Sequence, residues 1–305
     1  RGSYFEYMET GRRTDNIIHP DLNQIGTKTG RFSGRLQTIP KRLPEGDIML
    51  EVRRAYGPRP NHGWYCIDYK QIEARIFADE FEETTLIEAF ANDEDPYNKL
   101  KDTLKTKTGI SVPRNAAKAI FLGKLYGLGL ANLCSSIMGA MATQGQAVDV
   151  NEDAALEVID AFNEAFPQVY RAFEIAKRMA KSSGFVLNRY GQRLNIDPGF
   201  EYRGVNYIIQ PTAARMMKRA MIKTANQLAE WRRQPEGPRG WLVLTIHDEL
   251  IFEFEKDHRP IWALKKVAGL MEDNEGMFPL VSTPVDVDKC VSNWLEKQPV
   301  KWWGS

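Results

Sequence analysis

The sequence predicts an α+β fold, an antiparallel sheet carrying a mainly helical insertion, on three observations. The β-prone apolar runs Trp241 to Ile246 and Leu250 to Phe254 flank a polar corner of His247, Asp248 and Glu249, the pattern of a hairpin. A second apolar run, Trp64 to Ile67, ends in Asp68 and gives way to a helical stretch through Arg75, so a buried strand delivers a carboxylate at its end. Between them, residues 92–183 read as mainly helical.

The elements follow in order. Residues 1–62 form an extended, turn-rich opening, and residues 63–91 hold the first strand and its helix. Asp95 and Pro96 start a helix that Gly109 ends. Ser111 suits the N-cap and Pro113 the first position of the next helix, which runs from Arg114 to a stop at Gly127. Ala155, Val158, Ile159, Phe162 and Phe166 recur at helical spacing within Asn151 to Ala180, with Pro167 expected to end or kink the run. Residues 184–197 read as a hairpin and Ala213 to Trp231 as a long helix backing the sheet. Pro235, Gly237, Pro238 and Gly240 make a loop before the second hairpin, and Pro284 to Val287 is the last strand. The domain boundaries drawn from this pattern are 1–62, 63–91, 92–183 and 184–305.

A chain of 305 residues allows about two domains with a substantial core. Its formal net charge of +1 excludes a polycation, so affinity for nucleic acid would have to come from local basic groups such as Lys101, Lys105, Lys107, Arg189 and Arg193. Cys66, Cys134 and Cys290 are too widely spaced for a zinc site or a disulfide frame, and His19, His62 and His258 are equally scattered. No apolar stretch approaches the roughly 20 residues needed to cross a bilayer, and no secretory signal opens the chain. The expected compartment is the cytoplasm, with no membrane partner.

Two constellations carry chemistry. Asp68 and Asp248, each at a strand end, suit Mg²⁺, which binds through one or two carboxylates plus substrate phosphates. If the two strands are neighbours, they would hold a pair of Mg²⁺ ions roughly 3.5–4 Å apart, as in-line phosphoryl displacement requires. Asp248 and Glu249 read equally as an exposed acidic turn. On the helix after Pro113, steps of four residues put Arg114, Lys118 and Leu122 on one face, with Tyr126 further round. Two cations followed by an apolar and aromatic surface fit a nucleoside triphosphate; the same pattern fits a solvated basic face.

Together these segments resemble the polymerase motifs of family A DNA polymerases, the bacterial DNA polymerase I type. Asp68 to Arg75 resembles the first palm motif. Arg114, Lys118, Tyr126 and Gly127 resemble the fingers helix, and His247, Asp248 and Glu249 the second catalytic palm motif. Thr29 to Arg31 with Leu36 to Pro40, Arg189 to Arg193, and Asn206 to Ala214 match further segments in the family's order. The resemblance implies an antiparallel palm sheet with an inserted helical fingers subdomain, and DNA-directed DNA synthesis from dNTPs on a primed template with two Mg²⁺ ions. It implies that Asp68, Asp248 and the Tyr69 carbonyl hold the metals, with the catalytic Glu249 beside them as a weaker or indirect ligand. Arg114 and Lys118 would grip the triphosphate, and Lys118 would also protonate the leaving pyrophosphate. Leu122, Tyr126, Gln71 and Glu73 would line the nucleotide, Glu73 excluding the ribose 2′-hydroxyl. Arg31, Gln37, Arg75, Asn206, Gln210 and His247 would contact primer and template.

The chain departs from the family pattern at Leu122, where an aromatic residue is usual, and at Lys70, where Ser is frequent. Phe121 lies one residue away and about 100° round the helix, so it does not substitute for that aromatic. Leu122 resembles some phage members, which suggests a phage or prophage source. Family members usually carry a thumb and an exonuclease-like domain before the palm. The start at Arg1 and the tail Trp302 and Trp303 therefore raise the expectation of a fragment, or of a split enzyme whose thumb and exonuclease lie on a separate polypeptide. Two rival readings stand beside this one. A single-subunit RNA polymerase shares palm and fingers, but Gln71, Ile72 and Glu73 match the DNA-polymerizing branch better. A palm-and-fingers subunit that binds DNA or a partner would be inactive without its thumb.

Overall fold

A computed structural model describes residues 2–11, 16–39, 48–109, 111–127, 129, 132, 135, 138–139, 152–256 and 260–300. Pro40, Cys134, Asn151, His258, Trp302 and Trp303 lie outside the described residues. The chain divides into two compact units, one of residues 1–70, 214–275 and 283–305, the other of residues 71–213 and 276–282.

The first unit begins with helices α1 (Gly2–Gly11) and α2 (Ile48–Arg54) and strand β1 (His62–Tyr69). The second holds α3 (Ile72–Glu80), α4 (Thr84–Ala91), α5 (Pro96–Thr108), α6 (Arg114–Leu125), α7 (Glu152–Ala165) and α8 (Pro167–Ser183), then the hairpin β2 (Phe185–Leu187) and β3 (Arg193–Asn195). Helix α9 (Gly204–Arg233) leads back to the first unit, which ends with β4 (Gly240–Ile246), β5 (Glu249–Glu255), α10 (Pro260–Glu272), β6 (Val285–Cys290) and β7 (Lys297–Pro299).

The sheet of the first unit has the order β4-β5-β1-β6-β7, with every neighbouring pair antiparallel. It is covered on both faces, which is why β5 is buried over Glu249 to Phe254 and reads as a nearly continuous apolar run. On one face the Tyr69 hydroxyl donates to the Met271 carbonyl of α10 at 2.6 Å. On the other, Cys66 and Ile251 join a core with Tyr7, Leu36, Val52, Tyr56 and Trp294. Glu253, buried on β5, accepts from Arg59 Nε at 2.6 Å and from Trp64 Nε1 at 3.0 Å. Gly240 opens β4 because a Cβ there would lie 2.3 Å from the Phe254 ring. The pairing of β4 with β5 shifts between Leu242 and Leu244, a bulge before the corner of His247 and Asp248.

Two expectations for this unit are corrected. The opening is not wholly extended: Tyr4, Tyr7 and Met8, spaced as one helical face, pack α1 on the core cluster. The final strand runs on to Cys290, and β7 adds a further strand at the sheet edge.

In the second unit, the Asp95 side chain caps α5 by accepting from Tyr97 N at 3.1 Å, and Gly109 ends it at φ 69°. Pro113, not Ser111, is the N-cap of α6, so the helix starts at Arg114. Pro167 divides the expected long run into α7 and α8, since proline suits a first turn and not an interior. Within α9, Pro211 has no N–H to donate, and the Thr212 hydroxyl donates to the Ile208 carbonyl at 2.7 Å. Phe121 is the hub of the aromatic core, with ring centroids 5.1 Å from Phe166, 5.7 Å from Tyr97 and 5.9 Å from Phe162.

Removing that hub leaves a cavity that several rings line. Phe121→Ala is expected to lower unfolding free energy by about 3–5 kcal/mol in urea denaturation. A loss below about 1 kcal/mol would show that the ring is not central to this core.

Candidate active site

The corner between β4 and β5 has only two residues outside the ladder, His247 and Asp248, because Ile246 pairs directly with Glu249. His247 has a φ of 53°, a left-handed conformation that costs a non-glycine residue energy and needs external support. Gln37 supplies that support: its Nε2 donates to the Thr245 carbonyl at 2.6 Å, and its Oε1 accepts from His247 N at 2.9 Å. Tyr69 N donates to the Asp248 carbonyl at 3.2 Å, tying the corner to the end of β1.

Strand register brings the carboxylates to one end of the sheet. Asp68 stands opposite Glu249 on β5 and opposite Asp286 on β6, and directly opposed residues share a sheet face. Asp248 is one residue away in the corner, its side chain 30% exposed, with Arg31 Nη2 at 3.8 Å from Oδ1. Glu249 is buried and accepts from Lys297 Nζ at 2.6 Å. Burial works against the Lys297 ammonium, but Cys66 and Glu249 beside it outweigh this and hold its pKa above the ordinary lysine value. Lys70 pairs with Asp286 at 3.1 Å, which places its ammonium on the Asp68 side of the sheet.

Among the described residues, no cluster of three or more His, Cys, Asp or Glu groups stands in metal-binding geometry. Two adjacent, partly solvated carboxylates are nevertheless the donor set that Mg²⁺ takes from a protein when water and phosphate complete its shell. On that chemistry, Asp68 and Asp248 fit the ion.

The other expected residues lie in the second unit. On α6, Ala116, Ala117, Ile120 and Phe121 are buried; Arg114 is exposed, and Lys118 and Leu122 are half-buried on the remaining face. Arg114 is ion-paired with Asp95, the cap of the preceding helix. The Tyr126 hydroxyl donates to the Glu73 carboxylate, joining the end of α6 to α3. Gln71 precedes α3 at φ 42°, another left-handed non-glycine position. Among the described residues, Asn206 Oδ1 is buried with no hydrogen-bond partner, and Gln210, one turn further along α9, is half-buried.

Two residues expected at a DNA contact are otherwise engaged. Arg75 is buried, donates to the Ser282 carbonyl at 3.0 Å and stacks on Phe90, and burial lowers its pKa to about 10. Gln37 spends both ends of its amide on the corner. Arg189 likewise pairs with Asp79 at 2.5 Å and Glu80 at 2.8 Å. Sequence reading missed Lys297, Asp286 and Asp95 as partners of the candidate residues. The cap position of Asp95 was a usable signal; the other two depend on strand register across β1, β5, β6 and β7.

The fold is that of a polymerase domain. The chain is similar to the POL domain of Pol1 from M. smegmatis, a structure in complex with DNA primer-template and dNTP, with a TM-score of 0.78 and 24% identity over 95% of this chain and 50% of that one. The chain belongs to DNA polymerase family A, whose sequence profile matches residues 3–296. It is 33% identical to the DNA polymerase I of Bacillus caldotenax over 84% of this chain and 29% of that protein. It is 29% identical to the DNA polymerase I of Chloroflexus aurantiacus, over 93% and 29% respectively. The DNA polymerase of Mycobacterium phage D29 is 27% identical, over 95% of this chain and 44% of that protein. The chain thus spans less than half the length of these relatives.

Gln37→Leu removes both bonds to the corner and is expected to cost about 1–3 kcal/mol of stability, read by urea unfolding. Wild-type stability in the variant would show that the corner holds itself.

Proposed function

We propose that this chain catalyses template-directed DNA synthesis, the primer 3′-hydroxyl attacking the α-phosphate of a dNTP with loss of pyrophosphate. The observation that carries the reading is the register that sets Asp68 beside Glu249 while Tyr69 holds the Asp248 carbonyl, so that two carboxylates share one sheet end. We infer that the first unit is the palm and the second the fingers.

Mg²⁺, when bound, would activate the attacking hydroxyl and neutralise charge on the leaving group. Asp68, Asp248 and the Tyr69 carbonyl hold the ions in this proposal. His247, raised at the corner, meets the primer end, and Arg31 lies close enough to Asp248 to follow the primer strand there. Arg114 and Lys118 bind the triphosphate; Arg114 must leave Asp95 to do so. The Lys118 ammonium gives a proton to the departing pyrophosphate oxygen. Leu122, Tyr126 and Gln71 line base and sugar. Glu73, fixed by the Tyr126 hydroxyl, closes the space a 2′-hydroxyl would need. Asn206, with its unsatisfied acceptor, and Gln210 contact primer and template. Most of the rate enhancement then comes from positioning and charge stabilisation. No helix among the described residues is long and apolar enough to cross a membrane. The bacterial and phage relatives support a cytoplasmic setting.

In Mg²⁺-dependent extension of a primed template, Asp68→Ala or Asp248→Ala should lower the rate by about 10³-fold or more while the fold persists. A folded variant that extends at the wild-type rate would refute the assignment. Extension only on addition of a separate thumb polypeptide would favour the split-enzyme alternative. Glu73→Ala should raise ribonucleotide incorporation by about tenfold or more in competition between dNTPs and rNTPs. Unchanged sugar selection would remove Glu73 from the gate.

A further inference from the structure

Glu249 follows Asp248, opens β5 and stands opposite Asp68; with Asp286 across β6 paired to Lys70, it is the further carboxylate beside the two assigned to the metals. Its side chain is only 6% exposed, and a buried carboxylate needs a cation. That cation comes from the other edge of the sheet. Lys297 is the first residue of β7 and pairs with Cys290 on β6. Its ammonium, 15% exposed, lies 2.6 Å from Glu249 Oε2.

The loop that carries Lys297 is firmly anchored. Trp294 is fully buried, its backbone N–H donates to the Tyr56 carbonyl at 2.8 Å, and the Arg53 guanidinium lies 3.9 Å from its ring centroid. Asn293 Oδ1 accepts from Leu295 N and Glu296 N, and Arg54 pairs with Glu296 at 2.6 Å. A lysine delivered by such a loop is held at its station, unlike one on a solvated surface.

Resting on the polymerase reading, we propose that Lys297 is a positioning residue that withdraws Glu249 from the metal ligands, so that two carboxylates and not three face the ions. The consequence is metal choice. Mg²⁺ keeps several waters and tolerates few carboxylates in strict octahedral geometry, whereas a larger ion accepts additional oxygen ligands. Without the lysine, the Glu249 carboxylate keeps only Arg53 in electrostatic range, and a metal held by Asp68 and Asp248 becomes a second cation open to it.

The test is Mn²⁺ binding to the full chain, followed by electron paramagnetic resonance without DNA or dNTP. Lys297→Met should tighten Mn²⁺ binding by about tenfold, the scale on which groups just outside a metal site act. Glu249→Gln/Lys297→Met should return it to the wild-type value. Glu249→Gln alone keeps the lysine and should leave Mn²⁺ affinity unchanged, which tests the idea even where Lys297→Met does not fold. Weaker binding in Glu249→Gln would mean that Glu249 already ligates and would overturn the proposal, as would wild-type affinity in folded Lys297→Met. If Asp248→Ala binds Mn²⁺ as the wild type does, the metal assignment itself falls, and the Lys297 proposal with it. If Asp248→Ala loses Mn²⁺ while Lys297→Met does not differ from wild type, only the Lys297 proposal falls.

Discussion

The organisation of the first unit depends on the antiparallel pairing of β1 with β5. Asp68 is the last but one residue of its strand and Glu249 the first of its own, and their pairing leaves a corner of two residues to turn the chain. Such a short turn needs a positive φ at its first position, and the residue there is His247. Glycine would adopt that conformation without strain but would offer no side chain at the sheet end. The strain is met from outside the hairpin by Gln37, whose amide bridges the carbonyl before the turn and the N–H within it. The opening segment, remote in sequence, thus contributes to the geometry of the site.

Charge follows a related logic. The buried carboxylates of the first unit have dedicated partners, Lys297 for Glu249, and Arg59 with Trp64 for Glu253. In the second unit, Arg189 serves Asp79 and Glu80, and Glu83 caps α4 while accepting from Gln168 N. Several of the chain's 41 basic side chains are therefore engaged internally, and counting them says little about a nucleic-acid surface. Asp68 and Asp248 differ in being only partly buried at the sheet end.

Much of this was legible in the sequence because the signals were local. The β4–β5 hairpin showed in the alternation of apolar runs and a polar corner, α5 in the Asp95, Pro96 and Gly109 boundaries, and the β2–β3 hairpin within residues 184–197. The two carboxylates were visible because each ends an apolar run. What escaped was non-local or weakly periodic. The helix α1 rests on Tyr4, Tyr7 and Met8, too short a stripe to separate from a turn-rich segment. Pro167 allowed either a kink or a break, and only packing around Phe121 decides between them. Lys297 meets Glu249 through four strands of pairing, and no spacing in the chain announces that. Gln37 and Arg75 were recognisable as motif residues, but whether a polar side chain faces DNA or the protein's own backbone depends on burial, which a motif does not carry.

The most direct test of the account is anomalous scattering from crystals of the chain grown with Mn²⁺. The register of β1 and β5, with the corner held by Gln37, predicts a peak within ligand distance of both the Asp68 and Asp248 carboxylates. A peak bound to Glu249 in place of Asp248, or the absence of any peak at that end of the sheet under saturating Mn²⁺, would contradict it.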